Sequence, residues 1–346
     1  MLFSIDEDAG NHIVGWVMPN NPNTAPRVKV RIGKTETIVS AEVYRPLLKS
    51  QGLHNTGICG FHIGDQQVIG LTEATDLTVF DVDSGLLLYR RRPHPVIAQK
   101  LIVVEPSILP AFNIHQQFAR QFQMAYENAD RYNEETIRAI LGIPFSNSIY
   151  VGGRLYVREF DYLYRDRGFK AAILLRDPFE ELAERLLILK WVNGRKDSPL
   201  NEQIGRDVVT AAERFTQFDP LSVETLPPAL TKLNDDVRKI LFNPLTRQLS
   251  TRYPDDRLDL AAVALSLSTL SFFDVVGTRA DVHYFLHAVY ASLEYEGAVD
   301  AVALPASASI AAFAERLRTV PAAVELVRLD YQVYTAVISA RSKVLS

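Results

Sequence analysis

The sequence predicts an α/β protein, a parallel sheet flanked by helices, preceded by a small all-β domain. Three observations carry that expectation. Residues 1–92 alternate apolar and polar side chains with the two-residue period of half-wet strands. Beyond residue 98, short apolar runs alternate with stretches of helical period, the order that a sheet covered on both faces requires. Residues 168–185, GFKAAILLRDPFEELAER, then read as a buried strand running directly into a capped helix.

In the first domain, Val28, Val30 and Ile32 alternate with Lys29, Arg31 and Gly33, giving one buried and one wet face. The stretches from Ile38 to Val43 and from Asp76 to Val82 repeat that style, and PNNPNTAP (19–26) marks a turn between strands. Residues 1–92 are therefore expected to form a small β-sandwich-like module. RRRPHPV (90–96) places a linker at 93–97, because its prolines resist both helix and central strand.

The α/β domain is expected to fill 98–346. Lys100 to Glu105 reads as its first strand, and Asn113 opens a helical stretch through about Glu127. Asn133 starts a helix that ends before Gly142; Ile149 to Gly152 is a strand and Val157 to Tyr164 a helix. The run from Ala171 to Leu175 ends at Arg176. Asp177 is placed as an N-cap, Pro178 at the first helical position and Glu180 at the capping-box spacing. Helical period dominates 201–215, 234–242 and 257–271. Phe272 to Val276 give a further strand, and helices fill 281–296, 307–318 and 321–341.

Composition narrows the function. At 346 residues the chain is long enough for two domains. A net charge of −4 argues against a general nucleic-acid binder. One cysteine, Cys59, excludes an intrachain disulfide framework and a cysteine-rich zinc site. No apolar stretch reaches the length of a membrane span, and MLFSIDEDAGNH lacks a secretory signal's pattern, so the expected compartment is the cytoplasm. Neither a Walker loop, a Rossmann fingerprint nor a GxSxG elbow occurs.

Four motifs in one order, and the end of the chain after them, resemble the carbohydrate sulfotransferase superfamily over residues 98–341. They are SIYVGGRLY (ending at Tyr156), LLRDPFEELAERL (174–186), FNPLTRQLS (242–250) and LSFFDVVGTRADVHYFL (270–286). LDYQVYTAVISAR (329–341) is similar to the family's closing Asp-x-x-x-Tyr helix. The resemblance implies a sulfotransferase-like sheet of P-loop-type topology. The N-terminal half, through Trp16, Arg45, Pro46, Gly57, Gly60 and Phe61, resembles a small β module attached to bacterial glycosyltransferases and sulfotransferases. Trp16 is its candidate sugar-stacking residue, weighed against a place in the core.

The resemblance implies a cofactor, adenosine 3′-phosphate 5′-phosphosulfate, if the protein is active. Such a donor needs a loop of backbone N–H groups and a cation for its phosphosulfate, an arginine and a hydroxyl for its 3′-phosphate, and a base for the acceptor. Here the loop reads VVEPSILPAFNIHQQF (103–118): Ser107 replaces the family's lysine, no glycine follows, and Glu105 would repel a dianion. Arg176 matches the 3′-phosphate arginine, but Glu184 stands where the serine belongs, and the family's Gly-His is Gly152-Gly153-Arg154. Candidate catalytic residues are Glu105 and His115; candidate donor-binding residues are Arg176, Arg154 and Arg158.

One basic and one acidic pair have the residue types of a metal site. His283 and His287 share a helix face at four-residue spacing but lack a clear third ligand. Asp81-Val82-Asp83 resembles a glycosyltransferase acidic pair, yet lies in the β module. No metal is expected. The sequence reading is a sulfotransferase-fold protein of bacterial surface-polysaccharide biosynthesis with a lost or strongly altered donor site, binding a glycan or a glycan-biosynthesis protein. The alternative is an active carbohydrate sulfotransferase with a rebuilt site. Oligomeric state is left open.

Overall fold

The computed structural model describes residues 1–92, 96–193, 195, 204–215, 222, 224–302, 304 and 307–345. The fold is mixed α/β, with an antiparallel β region at the N-terminus and a five-stranded parallel sheet flanked by helices. The chain forms two compact units. One holds Met1–Lys100, Gln117–Glu127 and Tyr132–Val151; the other holds Leu101–Gln116, Asn128–Arg131 and Gly152–Ser346. Of the linker expected at 93–97, Pro93, His94 and Pro95 lie outside the described residues.

The first unit opens with strands β1 (Leu2–Asp8), β2 (His12–Met18), β3 (Arg27–Ile32), β4 (Thr35–Ser40) and β5 (Val43–Tyr44), then helix α1 (Pro46–Ser50). Strands β6 (Ile58–Gly64), β7 (Leu77–Asp81) and β8 (Leu87–Arg91) complete two four-stranded antiparallel sheets, ordered β1-β2-β6-β5 and β4-β3-β7-β8. The two-residue period does the work expected of it: Ile13, Val17, Val28, Val30, Phe61, Ile63 and Val79 are buried.

The glycines of the β-module motif have a packing role. A Cβ on Gly15 would lie 2.7 Å from the Phe61 ring, and one on Gly60 would lie 2.5 Å from Arg45 Nε. Arg45 crosses that gap to donate to Gly15 O at 2.9 Å and to pair with Asp6 at 2.7 Å. Asp81, weighed for a metal, instead accepts from Ser84 N at 2.7 Å and Ser84 Oγ at 2.6 Å, closing the β7–β8 turn.

The parallel sheet takes β9 (Lys100–Val104), β10 (Met124–Tyr126), β11 (Ile149–Gly153), β12 (Phe169–Leu175) and β13 (Val275–Thr278), ordered β10-β11-β9-β12-β13. Between them run α2 (Phe112–Ala119), α3 (Glu134–Leu141), α4 (Val157–Asp166), α5 (Pro178–Asn193), α6 (Arg206–Arg214), α7 (Leu226–Thr231), α8 (Asp235–Leu241), α9 (Pro244–Ser250) and α10 (Ala261–Leu270). After β13 come α11 (Val282–Ser292), α12 (Ala308–Leu317), α13 (Pro321–Leu326) and α14 (Arg328–Leu345). Among the described residues no helix is long and apolar enough to cross a membrane.

Several expected elements differ: the strand expected from Ile38 to Val43 is split between β4, which ends at Ser40, and β5, which starts at Val43. The helix drawn from Asn113 to Glu127 ends at Ala119, and β10 follows, because Phe122, Met124 and Tyr126 are buried at a two-residue period. The strand drawn over Phe272 to Val276 shifts to Val275–Thr278, so Gly277 lies within it. A Cβ there would meet the buried Phe285 ring at 2.5 Å, which makes this glycine a close-packing residue of β13 against α11. The helix drawn over 321–341 breaks at Val327, where the Asn243 side chain caps a new helix. Of the helix expected at 201–215, residues 201–203 lie outside the described residues.

Candidate functional site

The loop from β9 to α2 is an anion-binding turn in its hydrogen-bonding pattern, and the chain supplies the anions. Glu105 leaves the carboxyl end of β9 and folds its buried carboxylate back over the loop. Ser107 N and Ala111 N each donate to it at 3.0 Å. His115, one turn into α2 and also buried, brings Nε2 to 3.2 Å from the same carboxylate. A third loop N–H, that of Ile108, donates at 3.0 Å to Glu181 on α5. Three backbone donors that could cradle a phosphate are thus committed to two glutamates.

The rest of the loop is fixed from outside. Glu105 N donates to Gly153 O at 2.9 Å, and Gln248 Nε2 donates to Glu105 O at 3.1 Å. Arg185 donates to Pro106 O at 2.7 Å, to Ile240 O at 2.9 Å and to Glu181 at 2.7 Å. Burial pushes the Glu105 carboxyl up, but the hydrogen bond and charge of His115 and the Ala111 N–H outweigh it, holding the group below the usual glutamate range. A carboxylate held down in this way is a weak proton acceptor at neutral pH.

Arg176 stands at the end of β12, and the junction behind it forms as its sequence dictates. Asp177 accepts from Phe179 N at 2.9 Å and Glu180 N at 3.3 Å, so it is the N-cap of α5 with Pro178 at the first position. Glu180, placed at the capping-box spacing, turns instead to Arg176 Nε at 3.4 Å. The Arg176 guanidinium lies 2.6 Å from Glu184 and 3.8 Å from Glu181. All three groups are buried. Burial disfavours the charged guanidinium, but Glu181 and Glu184 overcome that and raise its pKa. Glu184 is itself raised, by burial and by the like charge of Glu181, against the pull of Arg176. Around Pro106, Arg176, Pro178, Glu181, Leu245 and Asp330 there remains a space of about 10 Å³, room for one water and not for a nucleotide.

The other candidates are placed differently. Arg154 is held by Asp130, through Nε at 3.2 Å and Nη2 at 3.0 Å, and by Ile204 O at 2.6 Å. A Cβ on Gly153 would fall 2.7 Å from that same Asp130, so Gly-Gly-Arg is the sequence that lets the 129–131 turn close on β11. Arg158 donates to Ser250 O at 3.2 Å. Trp16 belongs to the other unit, where it is half-buried against Met18, Leu48 and Cys59. Of the candidates, Glu105 and His115 are in contact, and Glu181 links their loop to Arg176.

Two of the motifs meet as reciprocal helix caps. Asn243, in a left-handed conformation, accepts from Leu329 N at 2.8 Å and Asp330 N at 3.2 Å. Asp330 answers by accepting from Leu245 N at 3.1 Å and Thr246 N at 2.7 Å. Complete burial raises the Asp330 carboxyl to about 6 in spite of those N–H groups. Sequence reading missed Glu181, whose only signal was its four-residue spacing to Arg185. It also missed the Asn243–Asp330 pair, which no local pattern announces.

No protein-family model matches the chain, and no curated protein matches it.

Proposed function

We propose that this is a sulfotransferase-fold protein of bacterial surface-polysaccharide biosynthesis whose donor site is filled by its own side chains. On this reading it acts by binding a glycan or a glycan-biosynthesis protein, and Trp16 is the candidate stacking residue for a sugar. One observation carries the reading: the Glu105 carboxylate takes the loop N–H groups of Ser107 and Ala111 together with His115 Nε2. The pairing of Arg176 with Glu184 supports it, since the arginine expected to hold a 3′-phosphate already holds a carboxylate.

The deciding experiment is calorimetric titration with adenosine 3′,5′-bisphosphate, the spent donor, with Arg176→Ala as control. The expected result is no heat at millimolar ligand for either protein. Micromolar binding that disappears in Arg176→Ala would overturn the proposal in favour of an active transferase with a rebuilt site. A glycan panel then tests the positive half, with Trp16→Ala expected to weaken any captured oligosaccharide. Failure to bind any oligosaccharide, joined to an empty pull-down, would remove the binding role.

A further inference from the structure

Helix α11 carries a pair of histidines that neither the fold nor the filled loop uses. Its Phe285, Leu286, Val289 and Tyr290 are buried, and Phe285 presses on Gly277 of β13, so the helix is held firmly along one face. His283 and His287 stand on the opposite, exposed face, one turn apart. Their Nε2 atoms are 3.2 Å apart, with ring centroids at 4.4 Å and planes at 83°.

We propose that His283 and His287 form an exposed two-ligand site for a divalent transition cation, Zn²⁺ or Cu²⁺. Imidazole nitrogen binds Zn²⁺ at about 2.0–2.1 Å. Two such bonds spanning the 3.2 Å between the nitrogens subtend an angle at the metal of about 100–106°, close to the tetrahedral value. The contact is itself within hydrogen-bond distance, one ring donating to the other, and a bound cation would replace that proton with the nitrogens already at a chelating separation. Among the described residues no cluster of three or more His, Cys, Asp or Glu forms a metal cage. The cation would keep two positions for water or for a donor atom from a second molecule.

The other close histidine pair is built differently. His12 and His62 stack face to face at 5.3 Å and 14°, and His12 Nε2 turns toward Glu7 at 3.6 Å. It serves as the internal comparison.

The test uses the full chain carrying no affinity tag, titrated calorimetrically with ZnCl₂ and, separately, CuSO₄. Variants are His283→Gln, His287→Gln and His12→Gln, with circular dichroism to confirm the fold. The expected result is one equivalent bound, Cu²⁺ tighter than Zn²⁺, and a loss of at least about tenfold in either α11 variant. His12→Gln should match the parent, and the Cu²⁺ electron paramagnetic resonance spectrum should report two imidazole nitrogens. Affinity unchanged in both α11 variants, or no binding of either ion, would overturn the assignment. Neither result bears on the donor-site reading.

Discussion

Replacing Glu105 by alanine is the most informative perturbation of this protein. The change strips a buried partner from Ser107 N, Ala111 N and His115 Nε2 together. Removing one member of a buried charged network costs about 3–5 kcal/mol, and unsatisfied buried donors account for about 1–3 kcal/mol each. Glu105→Ala should therefore lower unfolding free energy by about 3–5 kcal/mol, a large share of the roughly 5–15 kcal/mol available to a folded domain. Glu105→Gln cannot rescue it. Oε1 faces the Ser107 N–H and Oε2 faces the Ala111 N–H, so either amide orientation sets donor against donor.

The assay is urea unfolding, run with and without sulfate or phosphate. An emptied loop still offers its N–H groups and His115, so an anion should bind Glu105→Ala and restore part of the loss. Saturation at one hundred times the dissociation constant would return about 2.7 kcal/mol. Parent protein should gain nothing of that kind. The pH dependence follows from the depressed carboxyl. Its stabilising contribution is complete above the ordinary glutamate value of about 4.3 and is lost as pH falls through the lower folded value. An alanine variant within about 1 kcal/mol of the parent, or equal anion stabilisation of both proteins, would refute the reasoning.

Arg176→Ala leaves Glu181 and Glu184 buried without their guanidinium, so it should cost about 3–5 kcal/mol in urea unfolding at neutral pH. Part of that loss should return as acid protonates Glu184, whose pKa is already raised. Asp330, at about 6 when folded against 3.8 when unfolded, makes the native state bind the extra proton between those values. Stability should fall by about 3 kcal/mol as pH rises through that window, and Asp330→Asn should flatten the slope. Gly277→Ala forces a methyl onto the Phe285 ring and should cost about 1–3 kcal/mol by thermal unfolding, with no effect on the pH profile.

What could be read from the sequence was what is local. The α5 cap follows from Asp177-Pro178, and Asn133 caps α3 by accepting from Thr136 N at 2.9 Å, because both depend on three or four adjacent residues. Strand β10 escaped because a three-residue strand inside 113–127 is too short for its period to outweigh the helical one around it. Helical spacing alone would pair Glu184 with a residue on its own helix. The partner is Arg176, eight residues back across the strand–helix junction, and α5 geometry alone does not predict it. Glu105 was identified from sequence as an obstacle to a dianion. That its carboxylate takes the loop N–H groups required their directions, which only the fold supplies.

That arrangement sets the energetics of any anion that enters the loop. An anion entering the loop must displace Glu105 from its N–H groups or wait for it to protonate, and its held-down pKa makes protonation rare at neutral pH. Displacement leaves the carboxylate beside the newcomer and near Glu181 and Glu184, a like-charge arrangement that costs several kcal/mol. Breaking the existing network at about 3–5 kcal/mol alone weakens binding by roughly a hundred- to a few thousandfold. A tethered carboxylate competes at a fixed effective concentration, so only an anion that overcomes this penalty opens the loop. On the proposed reading the filled loop stabilises the α/β unit, and recognition falls to surfaces that remain exposed.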